Sequence, residues 1–353
     1  MKKALALVMA ACLAFSLVAC GGNTTSTSTA SGASSTAASQ STSTGSATAT
    51  GGLKTGMAVV SSVKTSDADA DADGNGQVDS TVAAVLVDSE GKIVDCKIDV
   101  AQNKVAVKAD GSFDIDGVTF QSKQQQKEDY GMKKASAIGK EWYEQADAFA
   151  KYVVGKTADE VKGIAIDTAE GSHGGPADAD IAASCTIGVG DMIEAITQAV
   201  ANAQDLGAKA GDTLGLGVVS QMDGSSAIPA DNEGEGLAQV DTNYAAVTYG
   251  TDGKVSSAVV DSTQAAFNTT EEGVVTAKTE DVVSKQAQKD AYGMKSASAI
   301  GKEWYEQANA YAAYLNGKTA DEIKGIETGN ADLAASCTMS VEGLNEAVAN
   351  ALA

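Results

Sequence analysis

Residues 130–164 and 292–326 align at a constant offset of 162, with 28 identities in 35 positions. A chain written twice in this way must fold as two copies of one unit. The period of about 150 residues is far longer than a solenoid repeat and indicates tandem domains. The same offset carries Gln77-Val78-Asp79 onto Gln239-Val240-Asp241. Further on, Asp180–Thr186 matches Asp332–Thr338 at an offset of 152, so the second copy lacks about ten residues (162 − 152) around Glu170–Pro176. His173, the only histidine, falls in that insertion and has no counterpart. One histidine excludes a Ser-His-Asp triad in each copy and any multi-histidine metal site.

Each copy opens with strand patterns. Met57–Val63 is a short candidate. Val82–Val87 and Lys92–Ile98 flank the turn Asp88-Ser89-Glu90-Gly91, and Val105–Lys108 and Phe113–Phe120 flank Ala109-Asp110-Gly111, each pair reading as a hairpin. Helical patterns follow. Ile138, Trp142, Ala146, Phe149 and Val153 form one stripe, repeated by Ile300, Trp304, Ala308, Tyr311 and Leu315. Thr157–Glu160 and Thr319–Glu322 are capping boxes, and a last helix is expected over about Asp191–Ala203. Strands followed by helices give an α+β fold with helices packed on an antiparallel sheet, twice over. The expected domains are residues 53–205 and 206–353, each with a complete set of elements.

What precedes them is an address and a tether. Met1-Lys2-Lys3 leads into an apolar run, Ala4–Ala19, too short for a comfortable membrane span. Leu17-Val18-Ala19-Cys20-Gly21 resembles a bacterial lipoprotein signal. The resemblance implies removal of residues 1–19, a lipid on Cys20 and an extracytoplasmic, membrane-anchored protein exposed at the cell surface. Residues 21–52 are almost wholly Gly, Ser, Thr and Ala, a composition that cannot bury enough surface to fold. They read as a flexible, disordered linker with a span of about 30 Å. The net charge of −22, with every one of the 25 basic residues a lysine, argues against nucleic acid as a partner. Cys96, Cys185 and Cys337 read as free thiols, since two of them stand at equivalent points of separate copies.

Several motifs are candidates for chemistry. Asp69, Asp71 and Asp73, followed by Gly74, fall at positions 1, 3 and 5 of a calcium-type loop, but Ser80 stands where a bidentate Glu is needed. An acidic solvated loop is the competing reading. Trp142 and Trp304 either pack in the core or stack on an aromatic ligand. Tyr130-Gly131-Met132 and Tyr292-Gly293-Met294 either line a pocket or only turn the chain into a helix. No nucleophile elbow, metal-ligand cluster or phosphate-binding glycine loop is present, so an independent enzyme is not expected.

Asp180–Thr186 and Asp332–Thr338, each followed by an amphipathic helix in the first copy and its echo in the second, resemble the D-x-x-S-G-A-T motif of the covalent FMN-binding domain family. The resemblance implies FMN joined through its phosphate to Thr186 and Thr338, with Asp180 and Asp332 at the same sites. It implies a tandem flavoprotein that carries electrons to a redox partner outside the cell. Ala183-Ser184-Cys185 and Ala335-Ser336-Cys337 depart from Ser-Gly-Ala, and Gly would permit a positive φ that Ser resists. The rival expectation is a non-redox solute-binding or adhesive surface lipoprotein that keeps the fold without flavin.

Overall fold

A computed structural model of the chain describes residues 52–353, apart from 116, 171, 223–235 and 278–281. The lipoprotein signal, Cys20 and nearly all of the linker lie outside the described residues. So do Asp231–Glu235, the acidic residues that stand in the second copy where the calcium-type loop stands in the first.

Each copy builds a four-stranded antiparallel sheet in simple sequential order. The first holds β1 (Lys54–Ser66), β2 (Gly74–Val87), β3 (Ile93–Val107) and β4 (Phe113–Asp114). The second holds β5 (Thr213–Met222), β6 (Gly236–Tyr249), β7 (Val255–Thr269) and β8 (Val275–Ala277). Strand period 2 sorts the side chains of β2. Ala83 and Val85 face the helices of their own copy. Val82, Ala84 and Leu86 face the other way, into a cluster shared with Leu214, Val218 and Tyr244 of the second copy. A second shared cluster joins Val78, Val105 and Phe113 to Val240, Ala265 and Phe267. The two sheets therefore pack face to face, and each carries its helices on its outer face. The α+β expectation holds, in a four-layer helix–sheet–sheet–helix arrangement whose described residues belong to one compact unit.

The long strands correct the sequence reading. β3 runs unbroken through Asp99-Val100-Ala101-Gln102-Asn103-Lys104, where the polar residues suggested a gap between two hairpins. Asn103 in this stretch finds partners distant in sequence for its amide nitrogen, while its Oδ1 is buried without a partner. Asn103 Nδ2 donates to Ser220 Oγ (2.9 Å) and Thr242 Oγ1 (3.1 Å) of the facing sheet. Conversely, the expected strand Phe113–Phe120 is only the two-residue β4.

In the first copy α1 (Lys123–Gln126) covers the edge of β3 that short β4 leaves open. Gln124 Nε2 donates to Ile98 O at 3.1 Å. The main helix α2 is Trp142–Tyr152, starting four residues later than the apolar stripe. Gly139, at φ +64°, turns the chain, and the capping box of Glu141 and Glu144 sets the start. Ile138 is left half-buried in the preceding turn. α3 (Ala158–Lys162), α4 (Ala179–Ala182) and α5 (Gly190–Ala201) complete the layer. The second copy repeats it with α6 (Lys285–Gln288), α7 (Trp304–Tyr314), α8 (Ala320–Lys324) and α9 (Glu342–Ala351). No described helix is long and apolar enough to cross a membrane.

The contact between copies is close. A Cβ on Gly76 of β2 would lie 2.4 Å from the ring of Phe267, so only glycine fits there. Thr55 and Ser257 hydroxyls meet at 2.6 Å, and Ala68 N–H donates to Gly273 O at 2.9 Å. The expectation that each half holds a complete core thus meets a structure in which one face of each sheet is covered by the other copy.

Candidate functional site

The segment Asp180–Thr186 is a turn of helix followed by an exit. Asp178 caps α4, its Oδ1 accepting from the backbone N–H of Asp180 at 2.9 Å. Ser184 Oγ donates back to Ile181 O (3.2 Å), and Ser336 Oγ does the same to Leu333 O (3.2 Å). Among the described residues the non-glycines with positive φ are Lys127 and Lys289. Ser184 and Ser336 are not among them, so the position where the family motif has Gly needs no left-handed backbone here. Cys185 is fully buried, and burial pushes its thiol up to about 11. Cys96 and Cys337 are likewise free, buried and raised. These thiols are core-packing groups rather than nucleophiles.

Thr186 leaves this turn half-buried. Its N–H and its hydroxyl both donate to Gln145 Oε1, at 2.8 and 3.1 Å. Gln145, fully buried on α2, in turn donates through Nε2 to Ser136 Oγ and Lys140 O, both at 3.1 Å. Every atom of one amide is therefore used to fix Thr186 against the loop before α2. Thr338 repeats the arrangement with Gln307 at 2.8 and 3.2 Å, and Gln307 with Ser298 and Lys302. Neither glutamine stood out in the sequence. The only signal was their identity inside the repeated block.

Thr186 opens on a cavity of about 570 Å³ in the first copy. The same cavity is lined by Tyr130, Met132, Trp142, His173 and Lys123. Lys123 Nζ stands 4.8 Å from the Tyr130 ring centre and 5.4 Å from that of Trp142, a cation over two aromatic faces. Trp142 itself is buried, so its ring is both core and wall. The loop carrying Tyr130 is held by Glu141, whose Oε2 accepts the N–H of Met132 at 2.8 Å. Asp79 lines the far strand. Burial alone would raise its carboxyl, but hydrogen bonds from Gln102, Gln77 and Lys64, with the Lys64 charge, hold it below the ordinary value.

Asp180 is exposed and is not among the cavity-lining residues. Asp332 accepts from Tyr314 Oη at 3.2 Å, whereas in the first copy it is Asp178 that accepts from Tyr152 Oη, at 3.0 Å. These aspartates act in holding the turn to its helix. His173 reaches the cavity wall because the ten-residue insertion folds back as a small hairpin: Asp167 N–H donates to Gly175 O (2.8 Å) and Val189 N–H to Gly174 O (3.0 Å). The calcium-type loop does not converge. Asp69 Oδ1 accepts from the N–H groups of Asp71 and Ala72, and Asp73 pairs with Lys108 Nζ at 2.7 Å. No group of acids, histidines or cysteines among the described residues could hold a metal ion.

Ten of the seventeen residues lining this cavity keep their identity at the matched positions of the second copy, including the Lys, Tyr, Met, Trp and Thr. Lys285 again stands over Tyr292 (5.0 Å) and Trp304 (5.7 Å). The difference lies at one end. The hairpin with His173 is missing, and Asn243, at the position of Thr81, abuts Gly343, at the position of Asp191.

No protein family and no solved structure matches the chain. A chlorophenol reductase of Desulfitobacterium hafniense is 49% identical over 41 residues. That stretch is 12% of this chain and 12% of the reductase, far too little to place the two in one family.

Proposed function

We propose that the protein is a flavin-carrying electron-transfer lipoprotein, with FMN attached at Thr186 and, in the second copy, at Thr338. The observation that carries this reading is convergence. Thr186, Trp142 and the Tyr130–Met132 loop, chosen separately from the sequence, meet at one cavity of a size suited to a small cofactor. The donor set fits FMN. Trp142, Tyr130 and the Met132 and Met192 thioethers offer apolar faces to a flat ring. The Lys123 ammonium offers a counter-charge to a phosphate, and Asp79 and Gln102 offer acceptors to ribityl hydroxyls. When bound, FMN would supply one- and two-electron transfer.

The chain's own part is positioning. Gln145 fixes the Thr186 hydroxyl through two donors on one acceptor. When a phosphoester replaces the hydroxyl proton, the Thr186 N–H still holds that acceptor. Attachment forms the Thr186 Oγ–P bond and breaks the pyrophosphate bond of a flavin dinucleotide donor, and the hydroxyl proton leaves with the nucleoside monophosphate. A separate flavin transferase performs this step. Cys20 anchors the whole to the membrane by its lipid, so the partners are the membrane and a redox protein, with no nucleic acid.

The test is co-expression with a flavin transferase, followed by in-gel fluorescence of the denatured protein. Covalent fluorescence that is halved in Thr186→Ala and in Thr338→Ala, and lost in the double variant, is the expected result. A dark wild-type band beside a fluorescent D-x-x-S-G-A-T control protein would overturn covalent attachment. A visible spectrum of the native protein without flavin bands would overturn flavin binding, leaving the solute-binding or adhesive reading.

A further inference from the structure

The two copies meet along two matched seams, and only one of them is closed. At the first seam, α1 of copy one lies on β5 of copy two, and Gln125 Nε2 donates to Val218 O at 3.0 Å. The strand position matching Val218 is Val59, since Val218 pairs with Tyr244 and Val59 with Val82, which are 162 residues apart. The residue matching Gln125 is Ala287. At the second seam, therefore, the side chain that closes the first is missing. In its place is a cavity of about 560 Å³, lined by both Val59 and Ala287.

Charge has been removed from the same place. Lys97, Asp147 and Lys151 of copy one correspond to Val259, Asn309 and Ala313 of copy two, and all three replacements line the cavity. Asp261 and Lys289, both kept from copy one, are the charged groups left in the lining, beside a wall of carboxamides over small apolar residues. Asn202 uses its amide nitrogen on Met57 O (3.2 Å), Gln198 on Glu194 (3.0 Å) and Gln286 on Val260 O (3.1 Å) and Asn309 Oδ1 (2.9 Å). Asn316, with its amide turned to satisfy both ends, uses its nitrogen on Val255 O and Ser256 O. In three cavity-lining amides, Asn202, Gln198 and Gln286, the nitrogen already donates within the protein, which leaves their oxygens as acceptors for a ligand. These oxygens, with the second N–H of Asn202 and of Gln198, suit hydroxyl groups, which both donate and accept.

We propose that this seam is a binding site for a neutral polyhydroxylated small molecule of mono- to disaccharide size. It is separate from the Thr186 cavity, and it does not rest on the flavin reading. Alanine side chains (58, 258, 287, 312, 313) give the apolar floor against which the C–H face of such a ring packs. The molecule supplies its own control, because Gln125 shows what closes the seam. Ala287→Gln places at Val59 the side chain that copy one already uses at Val218.

The experiment is titration of the purified protein with glucose, N-acetylglucosamine, maltose and myo-inositol, with glucuronate and glucosamine as charged counterparts, followed by calorimetry or ligand-observed NMR. The expected result is saturable binding of at least one neutral probe, at least tenfold tighter than its charged counterpart. That binding falls at least tenfold in Ala287→Gln and in Asn309→Asp, with unchanged circular dichroism and melting. Thr186→Ala leaves it intact. Absence of saturation by every neutral probe up to 50-fold excess over a 1 mM threshold, on the order of the weakest useful affinity, would overturn the proposal. So would preference for glucosamine, which would mean an amine site, or full retention of binding in a folded Ala287→Gln protein.

Discussion

Asp99 and Asp261 stand at matched positions and are almost sealed from solvent. Each accepts from the N–H of the next residue, at 2.7 and 2.8 Å, and from the first turn of the short helix over its strand edge, at 3.0 and 2.9 Å. Burial nevertheless wins over these bonds and pushes both carboxyls from 3.8 up to about 6. Unfolded, both ionise near the ordinary value, so between the two pKa values the native state holds more protons than the unfolded one. Stability therefore falls as pH rises from about 4 to about 6, and then levels. A shift of roughly two pH units at ~1.4 kcal/mol per unit gives on the order of 3 kcal/mol per aspartate across the whole window. Between pH 5 and pH 7 the linkage relation leaves about 1.3 kcal/mol for each, or ~2–3 kcal/mol for the pair. Urea unfolding at the two pH values measures it. Wild type should be more stable at pH 5. The double variant Asp99→Asn, Asp261→Asn keeps the Oδ1 acceptors, cannot ionise, and should lose the slope and gain stability at pH 7. A wild type at least as stable at pH 7 as at pH 5, or a slope that survives in the double variant, would refute the assignment.

Two further changes probe the site and the seam between copies. Gln145→Ala leaves the Thr186 N–H without its acceptor and opens a buried gap. It should lower stability by about 2–4 kcal/mol in denaturant titration and, under transferase co-expression, reduce labelling of Thr186 while Thr338 keeps its own. Gly76→Ala forces a methyl into the Phe267 ring at the junction of the two sheets, so it should cost about 1–3 kcal/mol. Pairing it with Phe267→Leu should recover part of that loss, and a neutral Gly76→Ala would mean the sheets do not meet there.

Much of this architecture was legible in the residues. The duplication appears as two four-stranded sheets of the same order, the capping boxes Thr157–Glu160 and Thr319–Glu322 formed as written, and the three buried cysteines are free. The strands were underestimated because β3 buries polar residues whose partners, such as Ser220 and Thr242, lie more than a hundred positions away. Local alternation cannot register a hydroxyl supplied by another copy. The turn at Ser184 is a place where a motif resemblance and the local geometry part. A glycine in a related motif suggested a positive φ, but Ser184 sits in a right-handed turn closed by Ile181 O. The site was visible only as separate pieces. Thr186, Trp142 and Tyr130 each carried a signal, whereas Gln145, which joins the first to the loop of the third, looked like one more polar residue on an amphipathic helix.

The face-to-face packing explains why two copies that share a nearly identical block need not remain functionally identical. A surface substitution in a free tandem domain touches only solvent. Here the positions on either side of the seam look at the other copy, so one substitution changes a contact in a shared body. Gln125 and Ala287 show the consequence: the same helix position closes one seam and opens its mate. The ten-residue hairpin acts likewise at the outer cavities, adding His173 to one wall and leaving Asn243 against Gly343 in the other copy. The near-identical block from Tyr130 to Ile164 is the part both copies need for the aromatic and Thr–Gln framework. A duplicated fold that shares one core can thus keep one scaffold and still present several different cavities.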